Sequence, residues 1–138
     1  MADNKVYYYM RLKENFFESK ELSEVESMPD GFLYSNILLK MYLKSLRDEG
    51  RLMAGTIPYS EDMIAKITGH NKKTVKKALE IFKNVGLIDV LDNGAIYMLD
   101  IQNFIGKSST EGERKKAYRE RIKAEKAGHL SGQPSTRD

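Results

Sequence analysis

The sequence predicts an α+β, mostly helical fold, a winged helix-turn-helix with a short N-terminal strand, a C-terminal β-hairpin wing and a basic tail. Three observations carry this. Two helical patterns flank the turn Gly69-His70-Asn71. Two strand-like runs, "LIDVL" and "AIYMLDI", are joined by Asp92-Asn93-Gly94, and Asn-Gly supports the primed turns of two-stranded hairpins. Before them the order of elements is helix, helix, strand, which completes the order of a winged helix.

Taken from the start, "VYYYMRL" alternates as a short strand, with Val6, Tyr8, Met10 and Leu12 on one face. Its three tyrosines suit packing on a core or a subunit partner, or stacking on nucleic-acid bases. Phe16 to Met28 reads as a short acidic amphipathic helix ended by Pro29 and Asp30. "FLYSNILLKMYLKSLRDEG" is the longest helical pattern, with Gly50 as its C-cap. Its polar positions Asn36, Lys40, Lys44 and Arg47 leave most of the circumference apolar, so it must be buried on more than one side, in the core or partly in an oligomer interface.

"RLMAGTIPY" predicts a loop and a short strand through Thr56 and Ile57, broken at Pro58. Ser60 then caps a helix over "EDMIAKIT", stopped by Gly69, and Asn71 caps a second helix that runs to Asn84 or Val85 before Gly86. After residue 106 the composition changes. Residues 1–106 form the predicted winged-helix domain, and 107–138 a basic, helical or disordered tail. "TEGERKKAYRERIKAEKAG" opens with Thr110 and Glu113 in capping-box spacing, yet its sizeable apolar residues are Tyr118 and Ile122 alone. It is not expected to bury a face of its own, and "HLSGQPSTRD" reads as loop or disorder.

Charge divides unevenly. The 138 residues carry a net +3, but 1–106 hold 14 Lys and Arg against 15 Asp and Glu, while 107–138 hold 9 against 5. Positive charge is focused in the tail and in the second helix of the turn, where Asn71 to Gly86 contain five lysines and one glutamate. On that helix Val75, Ala78, Leu79 and Phe82 share one side. Lys72, Lys73, Lys76, Lys77 and Glu80 occupy the rest, with Asn71 and Thr74 at the N-terminal end. In a helix-turn-helix this N-terminal half enters the major groove of DNA.

The predicted DNA-binding residues are therefore Asn71, Lys72, Lys73, Thr74, Lys76 and Lys77, with Arg114, Lys115, Lys116, Arg119 and Arg121 of the tail as a second, less ordered contact or a solvated linker. Lysine lacks the planar fork with which arginine reads guanine, so affinity is expected chiefly from phosphates. Asp89, Asp92 and Asp100 make the predicted wing acidic, so it should be structural or face protein.

Other classes are poorly supported. There is no cysteine, and His70 and His129 are the only histidines, far apart. No catalytic site, metal or cofactor is expected, and the chain should not be an enzyme. No apolar run approaches the roughly 18 residues of a membrane span, so a cytoplasmic location without membrane contact is expected.

The stretches "YYYMRLKENFFESKE", "LYSNILLKMYLKSLRDEGRL", "VKKALEIFKNVGLI" and "STEGERKKAYRERIK" resemble the N-terminal domain of phage replisome organizer proteins, over about residues 5–126. That resemblance implies binding of double-stranded DNA at repeats of a phage replication origin, and recruitment of helicase loader and replicative helicase. It also implies self-association as a homodimer or higher oligomer. Many members carry a further C-terminal domain related to DnaD-like primosome proteins, whereas this sequence stops at Asp138, as a truncated form or a stand-alone origin-binding domain would. The alternatives are a transcriptional regulator with the same fold and a non-catalytic protein-interaction winged helix.

Overall fold

A computed structural model describes residues 7–104 and 111–135, and the side chains of the last helix over 112–128. Val6, Thr110, the expected boundary at 106 and His129 with the side chains after it lie outside the described residues. The elements are α1 (Lys20–Glu26), α2 (Gly31–Ser45), β1 (Arg51–Ala54), β2 (Ile57–Pro58), α3 (Glu61–Thr68), α4 (Lys72–Val85), β3 (Ile88–Val90), β4 (Ile96–Met98) and α5 (Glu111–Ser135). The result is an α+β, mostly helical, winged-helix-like fold.

The N-terminal strand does not form. Residues 7–13 make no strand pairing, and their backbone is tied to the domain by the Arg11 N–H donating to the Phe104 carbonyl at 2.9 Å. Alternation makes a strand only where one face is buried, and Tyr7, Tyr8, Tyr9 and Leu12 are all exposed. The acidic helix is shorter than expected for a related local reason. Phe16–Glu18 form one tight 3₁₀ turn, and Ser19 then accepts from the Leu22 N–H at 3.2 Å and so begins α1 afresh.

α2 is buried around much of its circumference, as its composition required: Tyr34, Ile37, Leu38, Met41 and Tyr42 are all within the core. Gly31 sets how closely α1 approaches, because a Cβ there would lie 2.5 Å from the Glu26 carbonyl oxygen. The α-helix ends at Ser45, before a 3₁₀ turn over Leu46–Asp48. Gly50 then closes the end with its N–H on the Ser45 carbonyl at 2.8 Å.

The strand expected around Thr56 and Ile57 lies one arm earlier. "RLMA" is the strand proper, and Gly55-Thr56 are the turn into β2. The reason is pairing on both sides: β1 sits between β2 and β4 in an antiparallel sheet of order β2-β1-β4-β3, with Arg51 opposite Tyr97 and Leu52 opposite Ile96. The wing β3–β4 turns at Asp92-Asn93-Gly94, but not by the primed turn that Asn-Gly supports, since that turn needs a positive φ at Asn93 and only Gly94 holds one. Gly94 has φ 92°, its N–H reaches the Leu91 carbonyl at 2.9 Å, and the Asn93 side chain accepts from the Ala95 N–H at 3.0 Å.

The tail departs most from expectation. α5 is helical through Ser135 and does bury a face, for Tyr118 and Ile122 are 4% and 6% exposed. Two large side chains one helical turn apart suffice, because the sheet and the turn at Ile101–Asn103 offer them a prepared apolar surface.

Candidate nucleic-acid interface

The turn between α3 and α4 is fixed at each end by side chains. Ser60 accepts from the Met63 N–H at 3.2 Å at the start of α3, and Gly69 ends it at φ 77°. Lys40 of α2 donates to the Thr68 carbonyl at 2.8 Å, satisfying one of the carbonyls that a helix end leaves open. His70 Nε2 lies 2.9 Å from Asn36 Oδ1 of the same helix, and burial followed by the Lys40 charge holds its pKa below the usual histidine value. His70 is thereby neutral near pH 7 and positions the turn.

Asn71 then accepts from the Thr74 N–H at 2.8 Å and starts α4. Its Oδ1 is committed to the cap, which leaves only the amide NH₂ for a ligand. Replacing Asn71 by alanine should lower stability by about 1 kcal/mol in urea unfolding. Unfolding therefore has to be measured on that variant before any loss of binding is assigned to contact.

α4 sorts its side chains as the wheel indicated. Val75, Ala78, Leu79 and Phe82 are buried, while Lys73, Lys76, Lys77, Glu80 and Lys83 are exposed and Thr74 is half-buried. Lys72 differs from its neighbours. Its ammonium lies 3.3 Å from Asp62 of α3, an exposed pair that is weak in itself but offsets some of the local positive charge. The cations concentrated at the outward surface of the N-terminal half are accordingly Lys73, Lys76 and Lys77.

The tail's charges divide differently. Arg121 donates to Asp48 at 2.8 Å and lies 5.7 Å from the centre of the Tyr97 ring, and Arg114 donates to the Gln102 carbonyl at 3.3 Å. Lys115 is half-buried near Asp100, whereas Lys116 and Arg119 are exposed. α5 therefore turns part of its basic charge inward. The acidic wing is addressed from the same helix, with Lys126 3.1 Å from Asp89.

A cluster that sequence reasoning missed lies beneath. The Glu125 carboxylate accepts two hydrogen bonds from Arg51, at 2.8 and 2.7 Å, one from Asn93 at 3.0 Å and one from the Tyr97 hydroxyl. Arg51 chiefly, with Tyr97 and Asn93, pulls the Glu125 pKa down to about 2, against an opposing contribution from burial. Burial first, and then the bond to Glu125, pushes the Tyr97 hydroxyl up to about 12. The only hint in the sequence was spacing: Tyr118, Ile122 and Glu125 share one helical face, but their partners lie up to 74 residues away.

Among the described residues there is no group of three or more His, Cys, Asp or Glu able to hold a metal ion. Nor is any described helix long and apolar enough to cross a membrane.

These features define a small winged-helix-like domain with a basic helix after its turn and a C-terminal helix docked along its sheet and wing. The family model of the N-terminal phage replisome organiser matches residues 9–126, and the chain belongs to that family, whose members serve phage replication. Neither the curated proteins nor the solved structures contain a significant match to the chain.

Proposed function

We propose that the chain binds double-stranded DNA at repeats of a phage replication origin, without catalysis, and that it organises replisome assembly there in the host cytoplasm. The observation that carries this reading is the exposure of Lys73, Lys76 and Lys77 on the N-terminal half of α4, opposite the side that packs on the core. A capped turn presents that half, and in helix-turn-helix proteins it is the half that meets the major groove. The contact is led by phosphates, with Asn71, Lys72 and Thr74 beside it and Lys116 and Arg119 as the outward charges of α5. Arg114, Lys115 and Arg121 act there mainly by holding α5 in place.

The chain works as a homodimer or higher oligomer, which sets two recognition helices on repeated half-sites. The exposed Phe32 and Leu33 of α2 support that assembly. Helicase loader and replicative helicase are the partners to which the family points.

Two measurements test this. The coding DNA of the protein is searched for tandem repeats, and gel shifts compare that DNA with scrambled DNA of equal length at low salt. Repeats bound preferentially are expected. A shift confined to the protein's own promoter would indicate a transcriptional regulator, and no shift at all a protein-interaction module. In addition, replacing Lys73 and Lys76 together by alanine should weaken binding to every sequence, and flatten the slope of log affinity against log salt by roughly 1.8.

A further inference from the structure

A groove of about 730 Å³ opens where the N-terminal segment crosses the end of α2, lined in part by Tyr7, Tyr8, Tyr59, Lys44 and Arg47. Its aromatic lining is turned outward: Tyr7 is 63% and Tyr8 48% exposed. The Arg47 guanidinium lies 5.5 Å from the centre of the Tyr8 ring, a cation–π stack standing open to solvent. Asp48 also lines the groove, but Arg121 donates to it at 2.8 Å and Arg51 lies 3.6 Å from it. Arg51 in turn is held by Glu125. The exposed charges left at the groove are the cations Lys44 and Arg47.

Outward aromatic faces beside exposed cations are the parts from which sites for unpaired nucleic acid are made. The rings stack on bases of any sequence and the cations take the backbone. The position of the groove adds a second argument. Asn36, Lys40 and Lys44 of α2, with Arg47 of the 3₁₀ turn that follows it, fall on one stripe, which begins at the His70 contact beside the N-terminus of α4 and ends in the groove. That stripe is about 17 Å long, the length of about five base steps of a duplex. A strand leaving a duplex seated on α4 would reach the tyrosines along it.

We propose that this groove binds single-stranded DNA, with bases stacked on Tyr7 and Tyr8 and phosphates on Lys44 and Arg47. The route along α2 rests on the duplex reading proposed above, but the site uses none of the lysines of α4, so its failure is told apart from a failure of duplex binding. The test is fluorescence anisotropy of the full chain with a labelled oligothymidine of about fifteen nucleotides, beside a duplex of equal length. Tyr7→Ala combined with Tyr8→Ala, and separately Arg47→Ala, should each weaken oligothymidine binding by about tenfold or more and leave the duplex affinity within about twofold. Lys73→Ala with Lys76→Ala should do the opposite. The proposal is overturned if the wild-type chain does not bind oligothymidine, or binds it equally well without the two tyrosines. It also fails if the tyrosine variant keeps that affinity but sediments at a smaller mass, for the groove is then an interface between copies of the chain.

Discussion

Gly50→Ala is expected to destabilise the protein by about 4 kcal/mol, with a fall in melting temperature of roughly 10 °C or more. Gly50 holds φ 107°, a conformation that strains any residue with a Cβ. That position also ties two elements together, its N–H on the Ser45 carbonyl and its carbonyl accepting from the Met98 N–H, both at 2.8 Å. Crowding is the second component. An added Cβ would fall against the Tyr118 hydroxyl and 2.5 Å from Ile101 Cγ2, and both side chains are buried. Gly69→Ala separates the two components, since Gly69 has φ 77° but nothing within 4 Å of its would-be Cβ. Strain alone should cost the Gly69 variant about 1 kcal/mol in urea unfolding. If Gly50→Ala costs no more than that, α5 does not rest on Gly50 as described.

Glu125→Ala should cost about 3 kcal/mol, because it leaves the Tyr97 hydroxyl unpaired and the Arg51 guanidinium with only the looser Asp48 contact at 3.6 Å in a poorly solvated place. The side chains of Arg51 and Glu125 are only 20% and 18% exposed, so this bidentate pair is not the weak surface kind. Glu125→Gln keeps the shape and removes the charge, and its smaller deficit should depend on pH in a defined direction. In the folded protein Glu125 titrates at about 2, against roughly 4.3 for an unperturbed glutamate. A carboxylate whose folded pKa is depressed binds fewer protons folded than unfolded. Its contribution is thus complete above about pH 5 and is lost as pH falls towards 2. The gap in urea midpoint between wild type and Glu125→Gln should therefore be wide at pH 7 and narrow by pH 3. A gap that stays constant would mean that the charge of Glu125 does not hold α5.

What could be read from the sequence was whatever local chemistry decides. Ser60, Gly69, Asn71 and Gly86 mark the ends of α3 and α4 because capping is settled within three or four residues. Asp92-Asn93-Gly94 marks the wing for the same reason. Apart from the acidic helix, which Ser19 restarts by a local cap, and the type of turn at Asn93-Gly94, the failures were of long range. The alternation of "VYYYMRL" could not show that its tyrosines face solvent, and "RLMA" looked like a loop until β4 was placed beside it. A count of charge in the tail could not show that Arg121 would meet Asp48, 73 residues earlier, or that Glu125 would gather Arg51, Asn93 and Tyr97. At α4 the four clustered lysines were legible as a group. That Lys72 turns toward Asp62 was not, since the pair depends on how α3 crosses α4.

The most direct test of the α4 account is the salt dependence of duplex binding, measured by anisotropy between about 50 and 200 mM salt. Three to four lysines of α4 on phosphates contribute roughly −2.7 to −3.6 to the slope of log affinity against log salt. Replacing Lys72, Lys73, Lys76 and Lys77 together by alanine should remove most of that slope while melting temperature changes little. A wild-type slope near zero, or a variant that keeps the wild-type slope and affinity, would contradict the placing of α4 against DNA.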